Sequence, residues 1–152
     1  MRMGRLSQAA VPDLSRMFVD LCRRERTATL RMDITAHHAL SDRLIDVSKE
    51  IKRRGEDGRQ AILTLLDHDE ENVRLWAASY VLELDPDLAP DAAVSLLEHL
   101  VIWGEQEANR ELRQDVISLG LRAESMLYTW REKHELLTPE ETLWLKPMSR
   151  SR

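Results

Sequence analysis

Apolar positions in this chain recur at intervals of three and four over six stretches, the period of helices that bury one face. Leu14, Met17, Phe18, Leu21 and Cys22 form the first stripe, opened by Pro12-Asp13 and broken at Arg26-Thr27-Ala28-Thr29. Asp33 caps a second helix with the seam His37, Leu40, Leu44, Val47 and Ile51. Lys52-Arg53-Arg54-Gly55 ends it, with cations in the last turn and a glycine for the left-handed cap. A short third helix covers 57–66 through Ala61, Ile62, Leu65 and Leu66. The fourth carries Val73, Trp76, Ala77, Tyr80, Val81 and Leu84, and stops at Asp85-Pro86-Asp87. The fifth, 90–102, turns Ala93, Leu96, Leu97, Leu100 and Val101 inward and closes at Trp103-Gly104. The sixth, 106–133, uses Leu112, Val116, Leu119, Ala123, Met126, Leu127 and Trp130, with Gly120 mid-helix as a close-packing point or a kink.

No run alternates polar and β-branched residues as a half-buried strand would. The expectation is therefore an all-α fold, a short α-solenoid of about six helices stacked as antiparallel pairs, clearest at 57–84 and 90–131. Residues 1–11 read as an N-terminal tail, 12–134 as the helical domain and 135–152 as a C-terminal extension. Thr138 and Glu141 stand in capping-box register within that extension.

Composition narrows the class. The 152 residues are 32% charged and 43% apolar, with a net charge of −5, so a whole-domain basic footprint for nucleic acid is lacking. Cys22 is the single cysteine and falls on an apolar stripe, which reads as a buried thiol in a reducing compartment. No apolar run approaches the ~20 residues of a membrane span, nor a signal peptide, which places the expected site of action in the cytoplasm.

Leu66-Asp67-His68 followed by Val73-Arg74-Leu75-Trp76-Ala77-Ala78 resembles a HEAT-like repeat: an apolar helix, a turn with Asp, then Val-Arg and small residues. The wider set adds Asp33-Ile34, Glu50-Ile51-Lys52-Arg53-Arg54-Gly55, Ala61-Ile62-Leu63-Thr64-Leu65-Leu66 and Asp85-Pro86. It is similar to a family of small bacterial proteins known only as a domain of unknown function with a HEAT-like fold, over about residues 14–131. The resemblance implies a surface that binds rather than a catalytic pocket, and brings no catalytic residues to transfer. Similar small HEAT-like proteins often accompany bacterial toxin genes as immunity proteins, which implies a toxin as the sharpest version of the partner; the acidic net charge would suit one whose active site is basic.

Candidate chemistry along the chain is sparse. Asp33/His37 and His38/Asp42 stand four apart, so each pair could touch one ion, but neither has the second Glu-x-x-His helix of a carboxylate-bundle metal site. Asp67, Asp69 and Glu71 alternate like the start of a calcium loop without its glycine or terminal Glu. No phosphate loop or nucleophile elbow is present, and no catalytic residue, metal ligand or cofactor is assigned. Arg74 and the turn acids Asp67 and Asp69 could pair between repeats and fix their stacking. The function expected is non-catalytic protein binding. Its candidate surface is Asp67, Asp69, Glu70 and Glu71 at the central turn, with Trp103, Glu105 and Glu107 at the next. The acids suit a basic partner and Trp103 an apolar anchor. The alternatives are a HEAT-like nucleic-acid-binding or base-repair protein, using Arg74, Arg110, Arg113, Arg122, Arg131 and Lys133, and a helix-bundle metal enzyme. The sequence leaves the oligomeric state open.

Overall fold

The computed structural model describes residues 3–109 and 114–134. Among these residues it is all-helical: a 3-10 turn η1 (Met3–Gln8), then α1 (Val11–Leu30), α2 (Ile34–Arg53), α3 (Glu56–Leu66), α4 (Glu71–Leu84), α5 (Pro90–Asn109) and α6 (Gln114–Lys133). Leu112, Arg110, Arg113 and the extension 135–152 lie outside the described residues. No described helix is long and apolar enough to cross a membrane.

The start and end of α2 follow the sequence signals, while three features depart from them. Asp33 caps α2 by accepting the Ala36 amide at 3.1 Å, and Gly55 ends that helix at φ +61°, where a side chain would be strained. By contrast, α1 runs through the expected break at 26–29 to Leu30. The expected tail also contributes: η1 seats Leu6 in the core, and Arg54 holds it there by donating to the Ala9 carbonyl at 2.6 Å and the Leu6 carbonyl at 2.9 Å.

The third departure is at Gly104. It does not close α5 but lies inside it, facing Gly120 of α6. A Cβ on either glycine would come within 2.9 Å of the other's Cα. Gly120 is thus the close-packing point and Gly104 its unforeseen partner. Their approach lets α5 and α6 form the most extensive helix–helix contact in the molecule.

α4 is the centre. It touches every other α-helix, and its buried residues run all round it: Val73 and Ala77 on the expected stripe, but also Leu75, Ala78 and Leu82. The spacing of the stripe predicts one buried side for α4; Leu75, Ala78 and Leu82 off that stripe are core as well. Trp76 is half-buried against that core rather than within it.

Gly120→Ala discriminates this packing from an ordinary exposed helix. There the change would stabilise by about 1 kcal/mol through helix propensity. Here the added methyl meets backbone, so chemical denaturation should show a loss of about 1–3 kcal/mol.

Candidate functional site

Two places gather polar side chains. The first is internal. On α1, the buried stripe Leu14, Phe18, Leu21 continues to Glu25, which has no exposure at all. A charge so placed must find partners. Arg122 of α6 brings Nη1 to 2.9 Å from Glu25 Oε1, and Asn72 of α4 donates Nδ2 to Oε2 at 3.0 Å and to the Cys22 carbonyl at 2.7 Å. The Arg122 guanidinium also lies 5.6 Å over the Trp76 ring. Oε1 makes no directed hydrogen bond despite its close ion-pair contact.

The cluster reaches the surface at His37 of α2. The Thr29 hydroxyl donates to the Glu25 carbonyl at 3.0 Å, which leaves its oxygen to accept from His37 Nδ1 at 3.1 Å. Glu25 Oε1 stands 3.4 Å from the same Nδ1. Hydroxyl and carboxylate thus address one nitrogen of the ring. A nucleophilic relay needs them on opposite nitrogens, so this is a structural cluster. Cys22 beside it is buried; burial first, then the Glu25 charge, push its thiol up and keep it protonated.

The second place is the α3–α4 turn that the sequence singles out. Here the residues are locked rather than loose. Arg74 donates to the carbonyls of His68 at 2.7 Å and Asp69 at 3.1 Å. The expected pairing of Arg74 with the carboxylates of Asp67 or Asp69 is therefore replaced by bonds to backbone, because the turn leaves carbonyls unmet at the end of α3. His68 Nδ1 accepts the Glu70 amide at 3.0 Å. Glu70 itself is held by Arg23 of α1 through contacts of 2.7–3.0 Å. Asp67 and Asp69 remain exposed and Glu71 is half-buried.

Asp67 opens onto a groove of about 570 Å³ between this turn and α5, floored by Leu63, Leu66 and Leu96 and edged by Arg74 and His99. Trp103, Glu105 and Glu107 line no part of it. Trp103 is half-buried against the core, Glu105 edges a separate groove of about 280 Å³ between α5 and α6, and Glu107 is half-buried. Among the described residues no three of His, Cys, Asp and Glu stand together as a metal site; Asp33 spends an oxygen on its helix cap and His37 turns Nδ1 inward.

Sequence reasoning missed Glu25 and Asn72 and placed Arg122 among the cations of a nucleic-acid surface. A signal existed: Glu25 sits in register on the apolar stripe of α1, which marks a buried charge.

Removing Arg122 leaves Glu25 uncompensated, so Arg122→Met should cost about 3–5 kcal/mol by denaturant titration, and adding Glu25→Leu should recover much of it. The acid limb is a separate readout. Hydrogen bonds from Arg54 to Glu50 and from Arg23 to Glu70 hold both carboxyls below their ordinary value of 4.5. Their folded values being depressed, the stability they confer is full above that value and is lost as pH falls through the lowered ones. Thermal melts at decreasing pH should show this, with a shallower acid loss in Arg23→Gln.

Three comparisons bear on kinship. A family described as a domain of unknown function, DUF2019, matches residues 12–114. The crystal structure of the protein RPA1889 from Rhodopseudomonas palustris CGA009 is similar at a TM-score of 0.59 with 26% identity, covering 76% of this chain and 87% of that one. No curated protein matches.

Proposed function

The chain belongs to the DUF2019 family, and from that premise we propose that it is a non-catalytic protein-binding scaffold, a short HEAT-like solenoid. Its binding surface is the groove beside the α3–α4 turn. The contact pattern supports the solenoid: α1–α2, α3–α4 and α5–α6 each pack as sequential pairs, the first pair packs on the second, and the second on the third.

The observation that carries the binding reading is the groove itself. Leucines floor it, Asp67 stands at its mouth, Asp69 is exposed on the same turn, and Arg74 and the Arg23–Glu70 pair brace that turn. An apolar floor with a charged, preorganised rim is the composition of a docking surface. It fits a basic partner segment with an apolar anchor. A toxin is the partner that the HEAT-like resemblance suggests, and the acidic charge fits one with a basic active site, whose capture acidic steering would speed. This narrows the surface to Asp67 and Asp69, since Glu70 is engaged and Trp103, Glu105 and Glu107 lie outside the groove.

The nucleic-acid alternative fares less well. Of the cations it names, Arg122 faces the Glu25 carboxylate at 2.9 Å, Arg131 stands 4.0 Å from Glu98 and Arg74 is spent on turn carbonyls, which leaves them poorly placed to neutralise phosphates.

Joint charge reversal, Asp67→Lys with Asp69→Lys, tests the proposal. Both positions are exposed, so the melting temperature should barely move. A partner captured by the wild-type protein from its native cell should be lost or bind more slowly, most visibly at low salt. Unchanged association of a verified partner would move the surface elsewhere.

A further inference from the structure

α1 ends in a Schellman turn: the Asp33 amide donates to the Ala28 carbonyl at 2.9 Å and the Met32 amide to the Thr29 carbonyl at 3.0 Å. The turn puts Met32 at φ +57°, the one non-glycine residue among those described with a positive φ. Glycine is the usual occupant, because a Cβ there crowds the following carbonyl. Met32 nonetheless points its side chain into solvent, 84% exposed. The fold gains no burial from it that would offset the strain, and such an outlier points to function.

Its surroundings say what kind. Leu30 is 51% exposed and Ile34 68%, so three large apolar side chains stand in water on one five-residue corner. Met32 and Ile34 also form one wall of an apolar hollow of about 220 Å³, completed by Ala28, Thr29, Asp33 and His37. A protruding side chain next to a hollow on one face is self-complementary: a two-fold axis seats each knob in the other molecule's hollow. The rim has the same property. Arg31 and Asp33 flank Met32, are both exposed and carry opposite charge, so the rim offers a second copy both signs of charge.

We propose that the α1–α2 corner is a self-association surface on which a second copy of this chain docks about a two-fold axis, with Met32 as anchor. The proposal stands apart from the groove at the α3–α4 turn and shares no residue with it. The corner is small beside an obligate interface, so the association is a concentration-dependent monomer–dimer equilibrium.

Sedimentation velocity of the full chain over a wide concentration range tests it. The wild-type protein should pass from monomer to dimer. Met32→Gly and Met32→Asn both suit the left-handed position, so the melting temperature should hold or rise while dimer affinity falls about 30-fold or more. Arg31→Glu, which leaves the rim acidic on both copies, should also weaken it. A wild-type protein that stays monomeric at every concentration overturns the proposal. So does a dimer of unchanged affinity in both Met32 variants.

Discussion

A carboxylate with no access to water constrains the rest of this structure. Glu25 can be buried only if a cation and a donor arrive at fixed places. Arg122 comes from α6 and Asn72 from α4, so the registers of both helices against α1 are tied to one charge. The glycine crossing serves the same end. Gly104 and Gly120 let α6 lie against α5 backbone to backbone, and Arg122, two residues beyond Gly120, then reaches the cluster. Arg26 and Asp115, 3.0 Å apart, repeat the α1–α6 link nearby. In a simple stack of helix pairs the first and third pairs have no need to meet. Here two ion pairs join α1 directly to α6.

The all-helical class and most helix positions were legible because they rest on local signals: three-and-four spacing, the Asp33 cap and the Gly55 stop. What was not legible involves partners distant in sequence. Gly104 reads as a helix end until Gly120 is seen facing it. Arg74 reads as a partner for carboxylates until the turn exposes its own carbonyls. The end of α1 was misplaced because methionine occupies the left-handed position that glycine normally announces. The acidic turn was found from sequence, but its division into engaged Glu70 and exposed Asp67 and Asp69 depends on Arg23, 47 positions away.

Such cross-links have a consequence for binding. Side chains on a rigid element meet a partner with little ordering cost, whereas a loose turn must first be fixed. The α3–α4 turn is tied to α1 through Arg23 and to α4 through Arg74, so the groove beside it is edged by side chains already engaged within the fold. The α1–α2 corner, by contrast, carries its strain at a single residue and projects it outward. The same α1 helix thus anchors the core at Glu25 and one acid of the turn at Arg23, and ends at the apolar corner.

The claim that one buried charge couples the first and last helix pairs is tested most directly by native-state hydrogen exchange in the wild-type protein and in Arg122→Met. The wild type should show the amides of α1 around Glu25, α4 around Val73–Val81 and α6 around Val116–Leu127 opening together at the global limit. In the variant all three should lose protection in step. Loss confined to α6, with α1 and α4 still at the wild-type level, would contradict the account and leave Glu25 as a local feature of α1.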